Sequence, residues 1–418
     1  MNRLIVRFLV LPIVISFVAL LTSGEAIAAK GPIKIGLLTS TKGVLAKHGS
    51  DQMNALKTFK DIHGEKVAGR SVKFFVEDNE SKVALSVTRV RKLVTRDKVH
   101  VIMGGLFGST GYAIAPLADQ YKTPTLIWSC PDDISKRKRK RYALTYFSCS
   151  QPTQAFAHWV RTTMPEIKKV ITIGPDYAFG HESTGGFQQV YEDMGGKVVQ
   201  KMYMPINTVD YGPYISKLRK DADALFVTLA GAQALRFPKQ LKEAGLGNKY
   251  VILGNGTNTD EFVLHALGDE VLGWITALIY SANLQTEANQ KFVKVFTKHA
   301  KKDPGYYAEG YFGALNIIYK AIESINGDVE DRDKFITALK KMKVSKGMPG
   351  GAKKSDGYGT FNTNVYVRIV TKDETGKKRN KVIKTIPNVS QFWTYPPEEY
   401  MKRPPYSRNY PPCKNCGK

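Results

Sequence analysis

Histidine is scarce in this chain, with seven in 418 residues, and none stands at the spacing of a metal-ligand set. His181-Glu182 begins a metalloprotease-like pattern, but residue 185 is glycine, so the second histidine of H-E-x-x-H is missing. No G-x-S-x-G nucleophile elbow occurs. The dinucleotide fingerprint G-x-G-x-x-G and the P-loop ending G-K-[ST] are absent as well. Asp176 and Glu182 are acidic but belong to no recognised catalytic motif with a second supporting group, and read as turn and helix-start residues. These absences exclude the common hydrolase and nucleotide-dependent chemistries. They point to a binding protein with no metal and no cofactor, not an enzyme.

Acidic residues are also few, 37 against 62 Lys and Arg, giving a formal net charge of +25. Long apolar runs are missing everywhere except the N-terminus. There Arg3 and Arg7 precede an apolar stretch from Phe8 to Leu21, followed by Ala26-Ile27-Ala28. That is the pattern of a secretory signal cut after Ala28, and the stretch is short for a membrane span. A retained anchor is the alternative. Loss of Arg3, Arg7 and Glu25 would lower the net charge only from +25 to +24. An exported, strongly basic chain favours anionic partners, while nucleic acid is not expected outside the cytoplasm. The expected address is the periplasm.

Only four cysteines are present. They suit an oxidising compartment, although sequence alone does not determine their pairing. The favoured pair is Cys130 with Cys149, leaving Cys413 and Cys416 to pair locally or stay reduced. Glycine at 417 rules out the haem pattern C-x-x-C-H, and a lone C-x-x-C offers too few ligands for zinc.

What the chain does have is alternation of strand and helix signals. Ile33 to Leu38, Val72 to Val76, Val99 to Met103 and Thr125 to Trp128 read as strands. Helical spacing runs from Asp51 to Ile62 and from Ser81 to Thr95 between them. A second series has strands at Val170 to Ile173, Lys197 to Met202, Ala224 to Leu229 and Tyr250 to Leu253. Its helices run from Ser183 to Met194, from Tyr214 to Arg219 and through Leu241. Further helices follow at Glu287 to His299, Tyr306 to Ile325 and Arg332 to Met342, then a hairpin of Val365 to Val370 with Val382 to Ile386. A Pro/Tyr-rich tail from Pro396 is expected to lack regular structure. The fold class is α/β, with two mostly parallel sheets flanked by helices.

The loop Gly104-Gly105-Leu106-Phe107-Gly108-Ser109-Thr110-Gly111 lies between a strand and a helix-like stretch. Small residues there let backbone N–H groups close on an anion, helped by the helix dipole. The plainer reading is a tight turn. Gly254-Asn255-Gly256-Thr257-Asn258-Thr259 is a similar loop in the second series. The run Lys136 to Arg141 is unbroken basic sequence; it reads as a solvated loop or as a contact for anionic lipid or an acidic surface.

Taken in order, Ile33-Lys34-Ile35-Gly36-Leu37, Gly104 to Pro116, Asp176-Tyr177-Ala178-Phe179-Gly180 and Leu241-Lys242-Glu243-Ala244-Gly245 resemble the leucine/isoleucine/valine-binding branch of periplasmic substrate-binding proteins. These are receptors of ABC importers. The resemblance implies a type I periplasmic-binding fold, two lobes joined by three hinge crossovers that close on a ligand. The lobes would be 29–149 with 278–345 and 150–277 with 346–395, after a signal at 1–28 and before a tail at 396–418. It implies a ligand set of His48 at the cleft entrance, Gly108, Ser109 and Thr110, Ser129, Cys130 and Pro131, Phe179 over the ligand, Ala232 and Asn255. Carboxylate oxygens would take hydrogen bonds near Gly108 to Thr110 and from Ser129.

Two departures from the family stand out. Phe179 and Ala232 replace frequent tyrosines, and the region Asn255 to Thr257 offers no acid to pair an α-ammonium. A buried ammonium without such a partner is costly. The expected ligand is therefore a small amide or organic acid with an aromatic or branched body. Asp260 or Glu261 would restore an amino-acid reading if their loop folded inward. The implied partner is an ABC-transporter permease, with the receptor a monomer. A ligand-sensing subunit of a signalling system, an exported enzyme and a surface adhesin are the alternatives.

Overall fold

The structure is a computed structural model that describes residues 31–138 and 140–417. The expected signal segment lies outside the described residues, as does Arg139 of the basic run. Among the described residues no helix is long and apolar enough to cross a membrane.

The first sheet contains β1 (Ile33–Thr39), β2 (Lys66–Val67), β3 (Arg70–Asp78), β4 (Val101–Gly104), β5 (Thr125–Ile127) and β6 (Ala143–Thr145), in spatial order β2-β3-β1-β4-β5-β6. All neighbours except β2 and β3 run parallel. Strands β1 and β4 are almost wholly apolar because helices cover both faces of a parallel sheet. The covering helices here are α1 (Ala46–His63), α2 (Val83–Thr95) and α3 (Gly108–Gln120), with the single turn α4 (Asp132–Ser135) between β5 and β6.

The chain then crosses to a second sheet. Helices α5 (Ser150–Thr163), α6 (Ala178–Asp193), α7 (Gly212–Ile215), α8 (Ala232–Glu243) and α9 (Glu261–Leu264) alternate with β7 (Lys169–Pro175), β8 (Lys197–Met204), β9 (Ala224–Val227), β10 (Val251–Asn255) and β11 (Ile275–Leu278). These five strands pair in parallel. Helices α10 (Glu287–Ala300), α11 (Tyr306–Ser324) and α12 (Arg332–Lys340) return to the first core, where α10 and α11 pack on α1. Strands β12 (Lys343–Val344), β13 (Lys353–Ser355), β14 (Phe361–Lys372) and β15 (Lys378–Val389) complete the second sheet antiparallel, with β14 beside β11. The molecule is thus two-lobed, with separate apolar cores and several chain crossings between them.

Helix α5 lies where the apolar spacing announces nothing. Its buried face carries Gln151, Thr153 and Gln154 beside Ala155 and Phe156, so polar residues occupy core positions and mask the period. The expected helix at Tyr214 to Arg219 is only the single turn α7. The tail corrects the expectation more strongly. It forms α13 (Pro397–Lys402) and then lies along α5, α6 and β8, with Tyr400 2% exposed. Gln188 donates to the Pro412 carbonyl at 3.0 Å and Lys201 to the Pro411 carbonyl at 2.6 Å.

The basic run anchors that tail and is not simply solvated. Lys136 is 1% exposed and donates to Asp132 at 2.8 Å and to the Tyr400 hydroxyl at 3.3 Å. Arg137 binds Asp133 and the carbonyls of Tyr400 and Arg403. Two disulfides join Cys130 to Cys149 and Cys413 to Cys416. The first, with its Cα atoms 4.7 Å apart, ties the loop after β5 to the loop after β6.

Candidate functional site

Loops at the C-terminal ends of parallel strands are where open α/β sheets hold ligands. Here the ends of β4, β5, β6, β7 and β9 and the start of α11 converge on one small cavity of about 40 Å³. The first lobe contributes Leu106, Phe107, Gly108, Trp128, Ser129, Cys130 and Phe147, with Tyr306 and Tyr307 from α11. The second lobe contributes Tyr177, Phe179 and Ala230.

Backbone geometry at the end of β4 builds one wall. Gly104 has φ 140°, and a Cβ there would lie 2.1 Å from the Leu38 carbonyl oxygen. Only glycine lets the chain leave the sheet so close to β1 and turn into α3. Phe107 is the N-cap and supplies no side-chain cap, while its carbonyl accepts from the Gly111 N–H at 3.1 Å. The N–H groups of Gly108, Ser109 and Thr110 therefore precede the first intrahelical bond and present the positive end of the α3 dipole. Gly108 reaches the cavity surface, Ser109 is half-buried on the same turn, and Thr110 is buried with its hydroxyl unpartnered.

The loop after β5 forms the adjoining wall. The Ser129 N–H is already taken by the Gly105 carbonyl at 2.9 Å, and the Trp128 N–H by the Gly104 carbonyl at 2.9 Å. Ser129 thus contributes through its hydroxyl, which is buried and has no partner among the described residues. This refines the expected hydrogen bond from Ser129, whose backbone is unavailable. Cys130 lines the cavity, while its own carbonyl accepts from the Cys149 N–H at 2.8 Å. Pro131 packs against α3 at Gly111 and does not line the cavity.

Aromatic rings close the rest. Trp128 lies 5.6 Å from Tyr306 and 5.4 Å from Tyr307 between ring centroids, and Tyr306 and Tyr307 are 4.1 Å apart. Phe179 and Tyr177 are 6.0 Å apart on the opposite side. Burial pushes the phenols of Tyr177, Tyr306 and Tyr307 well above their ordinary range, so they remain protonated donors. No side chain lining this cavity carries a formal charge.

Besides Pro131, three expected ligand residues sit elsewhere. His48 and Ala232 line an outer chamber of about 650 Å³ with Phe262 and Lys302. The His48 ring stacks on Phe262 at 4.2 Å and meets Tyr307 edge-on at 4.4 Å, so it separates this chamber from the inner cavity. Burial first, then Lys302 and Lys47, lowers its pKa to about 3, and the imidazole is neutral. Asn255 is buried below the cleft, where it accepts from the Thr257 N–H at 3.1 Å and caps the following turn.

Asp260 and Glu261 do not turn inward to replace an ammonium partner. Asp260 accepts from the N–H groups of Phe262 and Tyr306, and Glu261 faces Arg368 at 3.6 Å. Among the described residues no group of three or more His, Cys, Asp or Glu is arranged to hold a metal. Sequence reasoning missed Phe147, Tyr177, Tyr306, Tyr307 and Trp128 as cavity residues. Their only signal was position, each lying at a strand end or a helix start.

Residues 32–376 match the periplasmic binding protein family. A curated relative, Leu/Ile/Val-binding protein homolog 6 of Brucella melitensis biotype 1, is 28% identical over 386 residues, covering 89% of this chain and 96% of the relative. A solute-binding protein of an ABC transporter from Rhodopseudomonas palustris BisB5, solved with 3,4-dihydroxybenzoic acid, is 29% identical with a TM-score of 0.80. That match covers 87% of this chain and 99% of the other. A second, from R. palustris HaA2 with p-hydroxybenzoic acid, is 28% identical with a TM-score of 0.80, covering 86% and 98%.

Proposed function

The chain belongs to the periplasmic binding protein family, and from that premise we propose that its inner cavity takes the monoanion of a small aromatic carboxylic acid. It is a solute-binding receptor that captures a small molecule between two lobes for an ABC-transporter permease. The family works in the periplasm, and we read residues 1–28 as the leader removed on the way there. The relatives are binding proteins, and no signalling subunit stands among those compared above.

One observation carries the ligand class: an uncharged, aromatic-walled cavity opens onto the N-terminus of α3 with the unpartnered Ser129 hydroxyl beside it. A carboxylate suits that end, because free N–H groups and the helix dipole favour an anion. Aromatic rings suit the other end, because they stack or meet edge-on at the separations these walls provide. An α-amino acid does not suit it, because its ammonium would be buried without a counter-charge. The hydroxybenzoates named for two relatives of similar fold have this chemistry.

Capture proceeds by population shift. A ligand that contacts both lobes favours the shut form by its differential affinity for it. The carboxylate engages Gly108 to Thr110 and Ser129 on the first lobe, and Tyr177 and Phe179 of the second lobe then cover the ring. Titration calorimetry with benzoate, 4-hydroxybenzoate and leucine tests this reading. The expected result is binding of one or both aromatic acids and none of leucine; tight leucine binding with no response to the aromatic acids removes it.

A further inference from the structure

Apart from the chain crossings, two buried carboxylates of the second lobe reach across to the first. Glu182 of α6 accepts at Oε1 from the Tyr112 hydroxyl of α3 at 2.7 Å. That same hydroxyl accepts from the Asp133 N–H at 3.1 Å, so the contact also involves the start of α4. Asp260 accepts at Oδ2 from the Tyr306 N–H at 3.0 Å, at the beginning of α11. Its other oxygen accepts from the Phe262 N–H within its own lobe at 3.1 Å. Glu182 and Asp260 are 4% and 1% exposed.

Both contacts adjoin the ligand cavity. Glu182 follows Phe179 by one helical turn, and Tyr112 follows Gly108 by one turn, so both partners sit directly behind cavity walls. Tyr306 itself lines the cavity. Gly305 lets the second carboxylate come close: a Cβ there would lie 2.1 Å from Asp260 Oδ1. Among the described residues neither carboxylate has a cation of the opposite lobe as its hydrogen-bond partner. Each is buried and accepts from neutral donors.

We propose that Asp260 and Glu182 are the clasps that set lobe closure in this receptor, and that closing over a ligand takes up protons at these carboxylates, so that capture strengthens as the surroundings acidify. A buried carboxylate favours its neutral form, and parting the lobes would return each group to water. Burial first, then Glu261 beside it, raises the Asp260 pKa to about 7, against the pull of Arg368 from β14 and the N–H donors. Tyr306 and Tyr307 of α11 and Tyr280 before α10 also face it, all as neutral phenols.

Glu182 is likewise raised, by burial and then by Asp132 of α4. Lys136 opposes this but is already paired with Asp132, and Asp133 is paired with Arg137. Tyr400, Arg403 and Tyr406 of the tail border the same small space. The sign follows directly. The shut form has the higher pKa, so its advantage is greatest below the ordinary carboxylate value near 4 and declines as pH rises toward 7.

The test uses the mature protein between pH 5.5 and 8, where a benzoate-type ligand stays ionised. Calorimetry with 4-hydroxybenzoate in buffers of different ionisation heat should show net proton uptake, with affinity falling up to about tenfold per pH unit below 7. Asp260→Asn keeps one carbonyl acceptor and should flatten most of that slope; Glu182→Gln should remove any remainder. X-ray scattering of the ligand-free protein should show a larger radius of gyration at pH 8 than at pH 5.5. If 4-hydroxybenzoate fails to bind at all, the ligand reading fails and scattering alone judges the clasps. A radius that does not change with pH, or an affinity slope unchanged in Asp260→Asn, overturns the proposal.

Discussion

The two walls of the inner cavity are built from different chemistry. The first lobe brings the start of α3, the Ser129 hydroxyl and the rings of Trp128, Phe147, Tyr306 and Tyr307. The second brings Tyr177, Phe179 and Ala230, with the start of α6 among them but no orphan serine hydroxyl at the surface. The contrast implies a division of labour. The first lobe alone adds an unpartnered serine hydroxyl to its helix start, so a carboxylate is expected to dock there while the cleft is open. The second lobe adds ring contact and excludes water, which makes closure the step that raises affinity.

The sharpest way to disturb this contrast is to loosen the support of the polar wall. Replacing Cys130 and Cys149 together by serine removes the tie between the two loops and should lower stability by about 3 kcal/mol, read by denaturant unfolding. Next in size is Ser129→Ala. Loss of a hydrogen bond to a charged group costs about 1.5–3 kcal/mol, so calorimetry should show affinity for the bound aromatic acid weakened roughly 10- to 100-fold with the unfolding midpoint unchanged. Unchanged affinity would take Ser129 out of the site.

Phe179→Ala tests the other wall. It should weaken binding by about tenfold through lost ring contact, and do so through a faster off-rate, since docking on the first lobe is untouched. A slower on-rate with an unchanged off-rate would contradict the order of docking. The smallest effect is expected for Ser109→Ala, a few-fold at most, because the backbone N–H remains when the hydroxyl is removed. His48→Phe should keep the inner cavity closed and leave pH dependence between 5.5 and 8 unaltered, since an imidazole with a pKa of about 3 does not titrate there.

Much of the architecture was legible because parallel strands covered on both faces must be continuous apolar runs. Ile33 to Leu38 and Ala224 to Leu229 could hardly be anything else. Helix α5 was not legible, because Gln151 and Gln154 are buried and hydrogen-bonded to Val389 and Tyr400, contacts far away in sequence. The tail misled for a related reason. Prolines and tyrosines suggest an extended chain, and it is Lys136, Arg137 and Gln188 that give this one a place to lie.

The candidate site divides the same way. Family resemblance led to Gly108, Ser129, Cys130 and Phe179, which the fold brings to one cavity, and to His48 and Ala232, which it places in the outer chamber. That the Ser129 N–H is occupied by Gly105 depends on how two neighbouring loops meet, and so does the direction in which Asp260 turns.

Composition and order determined, without coordinates, an α/β chain that carries none of the common catalytic motifs, because periodicity and motif chemistry are local properties of the chain. The receptor reading came from the family resemblance of those ordered segments. Which groups face the ligand, and which carboxylates bridge the lobes, were decided only by tertiary structure. Glu182 and Tyr112 are 70 residues apart in sequence, Asp260 and Tyr306 are 46, and only the folded geometry brings each pair within a hydrogen bond.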